Sequence, residues 1–317
     1  MESSVNLETY LPVELRGATT TIMRIAAGLS GAGVYRVEAF GQSFVLKVSP
    51  DDEPIAEWRR RLEIQELAAN AGLAAPVIHA DEAQRAIVNG FVVDRGFPAL
   101  LGNPSTRETA LVQLGRTLRR VHELPLPPHA SAQDPRELLT RIWSGLVGLF
   151  AMPAFVEAAV EGVRTAEPPP RERALVLSHN DVNPSNLVYD GERILLLDWN
   201  TAGPNDPFYD LATISVFLRL DEETCRRLLA AYDGEPVSSL SARFGYNRRL
   251  VAVLCGTLFL HRARVGGHAG ARGADTIEST LSLVDIYQKM RSGTLNVASA
   301  DGQWAFGLAL VKASVAL

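Results

Sequence analysis

A tight turn at Gly41-Gln42 is the feature that most restricts what this chain can build. It joins Val34–Ala39, where apolar and polar residues alternate, to the apolar run Ser43–Val48, and so short a connection joins only antiparallel strands. A further Thr- and Ile-rich strand, Thr19–Ala26, precedes them, and the glycine-rich turn Gly28-Leu29-Ser30-Gly31-Ala32-Gly33 lies between. Strand, glycine loop, strand, turn and strand make an antiparallel meander. The glycine spacing and the strand that follows it both disagree with a dinucleotide-binding loop, which opens a helix.

Beyond the meander the hydrophobic period changes. Ile55–Ala71 carries Ile64, Leu67 and Ala71 at helical spacing and stops at Gly72. Two more strands, Pro76–Ala80 and Ala86–Val93, complete a sheet of about five strands with one helix. Helices are then expected over 107–123, 137–149, 209–218, 222–232, 241–260 and 276–291, with short strands at 175–177, 187–189 and 194–197. The fold class is therefore α+β. Residues 1–94 are expected to form an N-terminal lobe and residues 95–317 a larger, mainly helical lobe, with no Pro-, Gly- or Ser-rich linker between them.

Composition narrows the function. The 317 residues carry 47% hydrophobic and 21% charged side chains and a formal net charge of −5. That is globular, and the acidic balance disfavours a nucleic-acid partner. The two cysteines, Cys225 and Cys255, form no Cys-x-x-Cys pair and are expected to be free thiols in a reducing compartment. No apolar run reaches the roughly 18 residues that a membrane span needs, and residues 1–8 lack a basic and then apolar leader. No membrane association is expected, and the cytoplasm is the expected location.

The chemistry concentrates in His179-Asn180-Asp181-Val182-Asn183-Pro184-Ser185-Asn186, followed twelve residues later by Asp198 at the end of the apolar run Ile194–Leu197. Phosphoryl transfer to a hydroxyl needs a carboxylate to orient the hydroxyl and accept its proton, and oxygen donors to hold Mg²⁺ against the phosphates. Asp181 suits the first task. Asn186 and Asp198, brought together by a loop and a hairpin turning at Asp190-Gly191, suit the second. Gly28, Gly31 and Gly33 would let backbone N–H groups approach phosphate oxygens without interference from a Cβ atom. Lys47 is the sole charge in Phe44-Val45-Leu46-Lys47-Val48, and a buried ammonium requires a partner. Phosphates and an acid on the following helix are the expected partners, with Glu63 chosen over Glu57 and Glu66.

These residues, together with Asp198-Trp199-Asn200 through Asp206-Pro207-Phe208-Tyr209-Asp210-Leu211-Ala212, resemble the aminoglycoside phosphotransferase and choline kinase superfamily. The resemblance spans roughly residues 20–260 and is dense over 177–212. It implies a bilobal protein-kinase-like fold and an ATP- and Mg²⁺-dependent small-molecule kinase. Asp181 becomes the catalytic base, with Asn186 and Asp198 as metal ligands. His179 and Asp210 brace the catalytic loop, Ser30 reaches the terminal phosphate, and Val92–Asp94, with Val93 at its centre, binds adenine through the backbone. Asn200 departs from the family's frequent Glu. The acceptor stays open among aminoglycosides, choline, ethanolamine and thiamine-like alcohols. For a cationic acceptor the candidate contacts are Asp206, Tyr209, Trp143 and Tyr246. The alternative is a catalytically silent nucleotide-binding regulator, against which Lys47, Asp181, Asn186 and Asp198 all stand. The apolar tail, Asp301–Leu317, is expected to pack on the body.

Overall fold

The computed structural model describes residues 7–25, 33–128, 130, 132, 134–273 and 275–317. Contacts gather the chain into two compact units: Met1–Ala130 with Ser185–Ala202, and Ser131–Pro184 with Gly203–Leu317. The boundary falls inside the segment His179–Asn186 itself, after Pro184, so Asp181 belongs to one unit and Asn186 to the other.

The first unit is built on a five-stranded antiparallel sheet. Its strands are β1 (Thr21–Arg24), β2 (Gly33–Ala39), β3 (Gln42–Val48), β4 (Val77–Asp81) and β5 (Ala86–Gly90), in the order β1-β2-β3-β5-β4. The meander is as expected, but its turn sits one residue earlier. Phe40 and Gly41 both have positive φ, 51° and 75°, while Gln42 already pairs with Ala39. Two consecutive positive φ values describe the turn whose twist matches a hairpin. Alternation decides the faces: Val37, Ala39, Phe44, Leu46, Ala86 and Val88 are buried together with Leu11, while Arg36 and Glu38 pair on the other face. Helix α1 (Ile55–Asn70) lies between β3 and β4 and buries Trp58, Ile64, Gln65 and Ala68. Strand β5 stops at Gly90, short of the expected Val93. The Gly90 N–H bonds back to Pro76 O, and a Cβ there would lie 2.9 Å from the Pro76 ring. Helices α2 (Phe97–Gly102) and α3 (Arg107–His122) follow in this unit, α3 burying Leu111, Leu114, Leu118 and Val121 along one stripe.

The second unit is mainly helical. It holds α4 (Pro135–Ser144) and α5 (Ala154–Thr165), then the strand β6 (Val176–Ser178). The hairpin β7 (Leu187–Tyr189) and β8 (Ile194–Leu196) returns to the first unit, and β9 (Gly203–Asn205) pairs antiparallel with β6. Five helices complete the unit: α6 (Pro207–Phe217), α7 (Glu222–Asp233), α8 (Ala242–Val265), α9 (Leu283–Arg291) and α10 (Ala300–Ser314). Each of the last five starts on a side-chain cap: Asp206, Asp221, Ser241, Ser282 and Ser299. Helix α6 is buried all round, its polar residues Asp210, Thr213 and Ser215 included. The apolar tail is α10, burying Trp304, Phe306, Leu308, Leu310 and Val311. It approaches α8 closely through paired glycines: a Cβ on Gly256 would lie 2.9 Å from Gly307 O, and one on Gly307 would lie 2.9 Å from Gly256 O. Helix α9 begins at Leu283 rather than at residue 276, because Ser282 and Asp285 form a reciprocal capping box there.

Candidate active site

In the first unit, β3 holds Lys47 between Val34 on β2 and Ile87 on β5, so its backbone is fixed from both sides. Its Nζ donates to Asp198 Oδ1 at 2.9 Å, with the two side chains 21% and 29% exposed. The hairpin β7–β8 makes this meeting possible. Leu187 pairs with Leu196, and one step further out the Leu197 N–H donates to Asn186 O at 2.8 Å. Asn186 and Asp198 therefore emerge at the same open end of the hairpin. Asp198 adopts φ 63°, ψ 68°, a left-handed conformation that costs a non-glycine residue about 1–2 kcal/mol. The following residues hold it there. Trp199 is buried and donates from Nε1 to Leu196 O at 3.0 Å, and Arg60 donates to Ala202 O at 2.7 Å. Local strain held by surrounding bonds is characteristic of residues kept for a task.

An amide oxygen and a carboxylate are hard donors, and a pair of them alongside phosphate oxygens suits Mg²⁺. Among the described residues no three His, Cys, Asp or Glu side chains cluster as a metal cage; a two-donor site completed by phosphates is the arrangement these residues fit.

The other nucleotide-side residues are distributed as follows. Glu63 is exposed on α1, and the ion pair of Lys47 is with Asp198. Toward the sheet, α1 presents Gln65, bonded to Asn89, and Arg61, bonded to Glu53 and Ser49. Gly33 opens β2, where a Cβ would lie 2.8 Å from the Tyr35 ring. Gly28, Ser30 and Gly31 lie outside the described residues. Val93 is 66% exposed in the irregular segment after β5. That segment is tied down next to Val93: Asp94 Oδ1 accepts from the Gly96 and Tyr189 N–H groups, and Arg95 N–H donates to Tyr189 O.

In the second unit, β6 delivers His179, which is fully buried, and Asp181, which is half-buried. Asp210, also fully buried, accepts from the backbone N–H groups of His179 and Asn180 at 2.7 and 2.8 Å. This is the bracing role the resemblance assigns to it, and charge-assisted bonds of this kind are the strong ones. Asn180 has φ 64°, a region that Asn tolerates, and its Oδ1 accepts from Asn205 Nδ2 at 2.8 Å. Asn183 closes the turn, donating from its backbone to Asp181 O and from Nδ2 to Asp181 Oδ1, each at 2.9 Å.

The acceptor-side candidates divide. Asp206 caps α6 through the Phe208 N–H and pairs with Arg243 at 2.6 Å, both side chains at most 10% exposed. Trp143 is buried in α4. Tyr246 is buried beside a cavity of about 440 Å³ whose lining includes Arg136, Asn205 and Arg243. Tyr209 is the one within electrostatic reach of Asp181. Burial raises its hydroxyl pKa well above the ordinary value, and the charges of Cys255, Asp210 and Asp181 add to the effect. Two residues of α8 that sequence reasoning passed over join this group. Burial pushes the Cys255 thiol up to about 12, with Asp181 adding to the rise and Arg262 opposing it. Burial lowers the Arg262 pKa, while Asp181 and Cys255 raise it. The only sequence signal for Arg262 was a cation placed seven residues, two helical turns, after Cys255, and it was hidden among the other basic residues that end α8.

Comparisons with known proteins bear on the family and the fold. The model of the phosphotransferase enzyme family matches residues 21–244. A solved structure of a choline/ethanolamine kinase family protein from Mesorhizobium loti is 21% identical, with 96% of this chain and 97% of that one covered and a TM-score of 0.62. An aminoglycoside-3′-phosphotransferase of type VIII is 21% identical, with 74% and 93% covered and a TM-score of 0.56. Protein LicA of Haemophilus influenzae is 39% identical over 54 residues, which are 17% of this chain and 20% of that protein, so the chain spans about a fifth of this curated relative. These likenesses show a kinase-like fold. With the family model covering the sheet, the hairpin and the Asp181 loop, the chain belongs to the phosphotransferase enzyme family.

Proposed function

We propose that the protein transfers the γ-phosphoryl group of ATP to a hydroxyl group of a small polar molecule. The observation that carries this reading is the pairing of Lys47 with Asp198 at the open end of the hairpin that also carries Asn186. An ammonium, a carboxylate and an amide oxygen gathered there are the groups that hold a metal-bound triphosphate. Asp181, five residues before Asn186 in the chain, orients the acceptor hydroxyl. As the acceptor oxygen attacks the γ-phosphorus, the bond from that phosphorus to the ADP oxygen breaks and the hydroxyl proton passes to the Asp181 carboxylate. Asn186 and Asp198 would hold Mg²⁺, which when bound neutralises phosphate charge. Lys47 and the glycine segment that includes Gly28, Ser30, Gly31 and Gly33 hold the phosphates, with Glu63 as a second partner for Lys47. The backbone around Val93 receives adenine, and the nucleotide lobe ends near residue 94.

The relatives named above include a choline/ethanolamine kinase family member and an aminoglycoside phosphotransferase. Small alcohols of these kinds are the acceptors to test first, in a protein placed in the cytoplasm. The experiment is an ADP-release assay with Mg²⁺ and ATP over choline, ethanolamine, thiamine and aminoglycosides, with Asp181→Asn as control. Acceptor-dependent ADP release that disappears in the variant supports the reading. ATP binding with no release from any alcohol would favour a silent nucleotide-binding regulator.

A further inference from the structure

Within the second unit, the cavity of about 440 Å³ beside Tyr246 is walled by four segments. Helix α8 supplies Arg243, Tyr246, Asn247 and Leu250, whose spacings of three, four and seven residues put them on one face. The start of α4 supplies Asp134 and Arg136, the segment before β6 supplies Pro168–Arg171 and Leu175, and β9 supplies Pro204 and Asn205. Asp181 is not among the lining residues. A space of this size takes a small molecule, and walls that set Leu175, Pro204 and Leu250 beside polar groups suit a ligand with an apolar body and a polar end.

Charge selects the polar end. Among the described residues the lining carries three guanidinium groups, Arg136, Arg171 and Arg243, and one carboxylate, Asp134. Arg243 is already paired with Asp206 at 2.6 Å. Setting Asp134 against one of the other two still leaves a guanidinium in excess. Arg136 is anchored, its Nη2 donating to Arg164 O at 2.6 Å, and its fork has further donors to offer. Arg171 is exposed.

The wall also holds a polar group without a partner. Tyr246 is 4% exposed, and its hydroxyl makes no hydrogen bond among the described residues. Buried hydroxyls are ordinarily bonded, so one left over at a cavity wall is a place for a ligand atom. The ring also borders a smaller cavity of about 270 Å³, walled mainly by apolar residues. Burial raises the hydroxyl's pKa, and Arg136 and Arg243 of the larger cavity oppose the rise more than Arg249 of the smaller one. The Arg243 guanidinium lies 5.6 Å from the centre of the Tyr246 ring, which makes that face a poor seat for a cationic ligand. The cavity wall continues into the loop that carries Asp181, because Asn205 Nδ2 donates to Asn180 Oδ1 at 2.8 Å.

We propose that this cavity binds a small organic oxyanion, a carboxylate or phosphate monoester on an apolar body, held by Arg136 and Arg171 with the Tyr246 hydroxyl as a further donor. The guanidinium fork matches either oxyanion. The site stands apart from the phosphotransferase reading, since its occupancy is measured without ATP or acceptor.

The test is titration calorimetry on the full chain with phenyl phosphate, benzoate and benzylamine. Saturable binding of phenyl phosphate or benzoate, about tenfold or more tighter than benzylamine, is the expected result, and the tighter of the two names the oxyanion. Arg171→Gln and Arg136→Gln should each weaken it about 10- to 100-fold, the scale of a hydrogen bond to a charged group, and Arg171→Lys should recover part of the loss. Tyr246→Phe should weaken it about tenfold. Lys47→Ala, which alters the groups assigned to ATP phosphates, should leave it unchanged. Absence of anion binding, equal binding of benzylamine, or an affinity unchanged in Arg171→Gln or in Tyr246→Phe overturns the inference. So does binding that disappears in Lys47→Ala. The Tm of each variant without probe separates a lost contact from a lost fold, and Arg171→Gln, altered at an exposed position, decides alone if Arg136→Gln unfolds.

Discussion

Three residues carry tests that need nothing beyond a point change. Asp181 is held by Asn183 and by a loop that Asp210 ties down from beneath. Asp181→Asn keeps the shape and removes the base, so kcat should drop by about 10²–10⁴-fold, the usual contribution of a positioned base. Nucleotide affinity, measured by titration calorimetry, should stay largely unchanged. Lys47 has Asp198 as its ionic partner, so Lys47→Ala should fall instead on the nucleotide: kcat/KM for ATP should drop roughly 10- to 100-fold, the scale of a hydrogen bond to a charged group. Cys255 gives a prediction about reactivity. With burial pushing its thiol up to about 12, Cys255 carries little thiolate at pH 8. Burial raises the Cys225 pKa too. A thiol-reactive chromophore at pH 8 should therefore label the native protein slowly at both cysteines and should titrate two thiols once denaturant is added. Fast labelling of native protein would show that Cys255 is not held as the structure places it.

Among the elements, α6, α8 and α10 carry the second unit's core. The α8–α10 crossing depends on Gly256 and Gly307, where an added Cβ meets carbonyl oxygen at 2.9 Å. Gly307→Ala should push the helices apart and cost about 1–3 kcal/mol, read as a lower midpoint in denaturant with an unchanged slope. At the start of α6 and α8, Asp206 and Arg243 form a buried pair, with Arg243 also donating to Pro169 O at 2.8 Å. Arg243→Ala leaves the Asp206 carboxylate buried without its cation, and losses of about 3–5 kcal/mol are usual for that change. Asp206→Asn keeps a capping oxygen and should cost less. The sequence had offered Asp206 as an acceptor ligand. Its place as an N-cap with a buried partner makes it a joint between two helices.

For the whole molecule, ATP binding to the folded state alone should stabilise by mass action, by about 2.7 kcal/mol at a hundredfold excess over Kd. A rise in Tm with Mg²⁺ and ATP, lost in Lys47→Ala, would register nucleotide binding without any assumption about the acceptor. Much of the molecule was legible from residues in order. The strand meander, α1 and the β7–β8 hairpin follow from periodicity and turn chemistry, set by neighbours a few positions apart, and spacing singled out Asp181, Asn186 and Asp198 as candidates. Helix α5 and the helical tail were not legible as helices, and Arg262 was not legible as part of a site. An evenly apolar or locally basic segment does not say what it packs against. By itself the sequence determined the strand meander and hairpin and set Asp181, Asn186, Asp198 and Lys47 as the candidate groups for phosphoryl transfer. Only the tertiary structure decided that Lys47 pairs with Asp198, and that Arg262 on α8 and Asp181 act on one another electrostatically. Both are encounters between segments far apart in the chain, Lys47 and Asp198 by 151 positions, and no local rule of side-chain spacing reaches that distance.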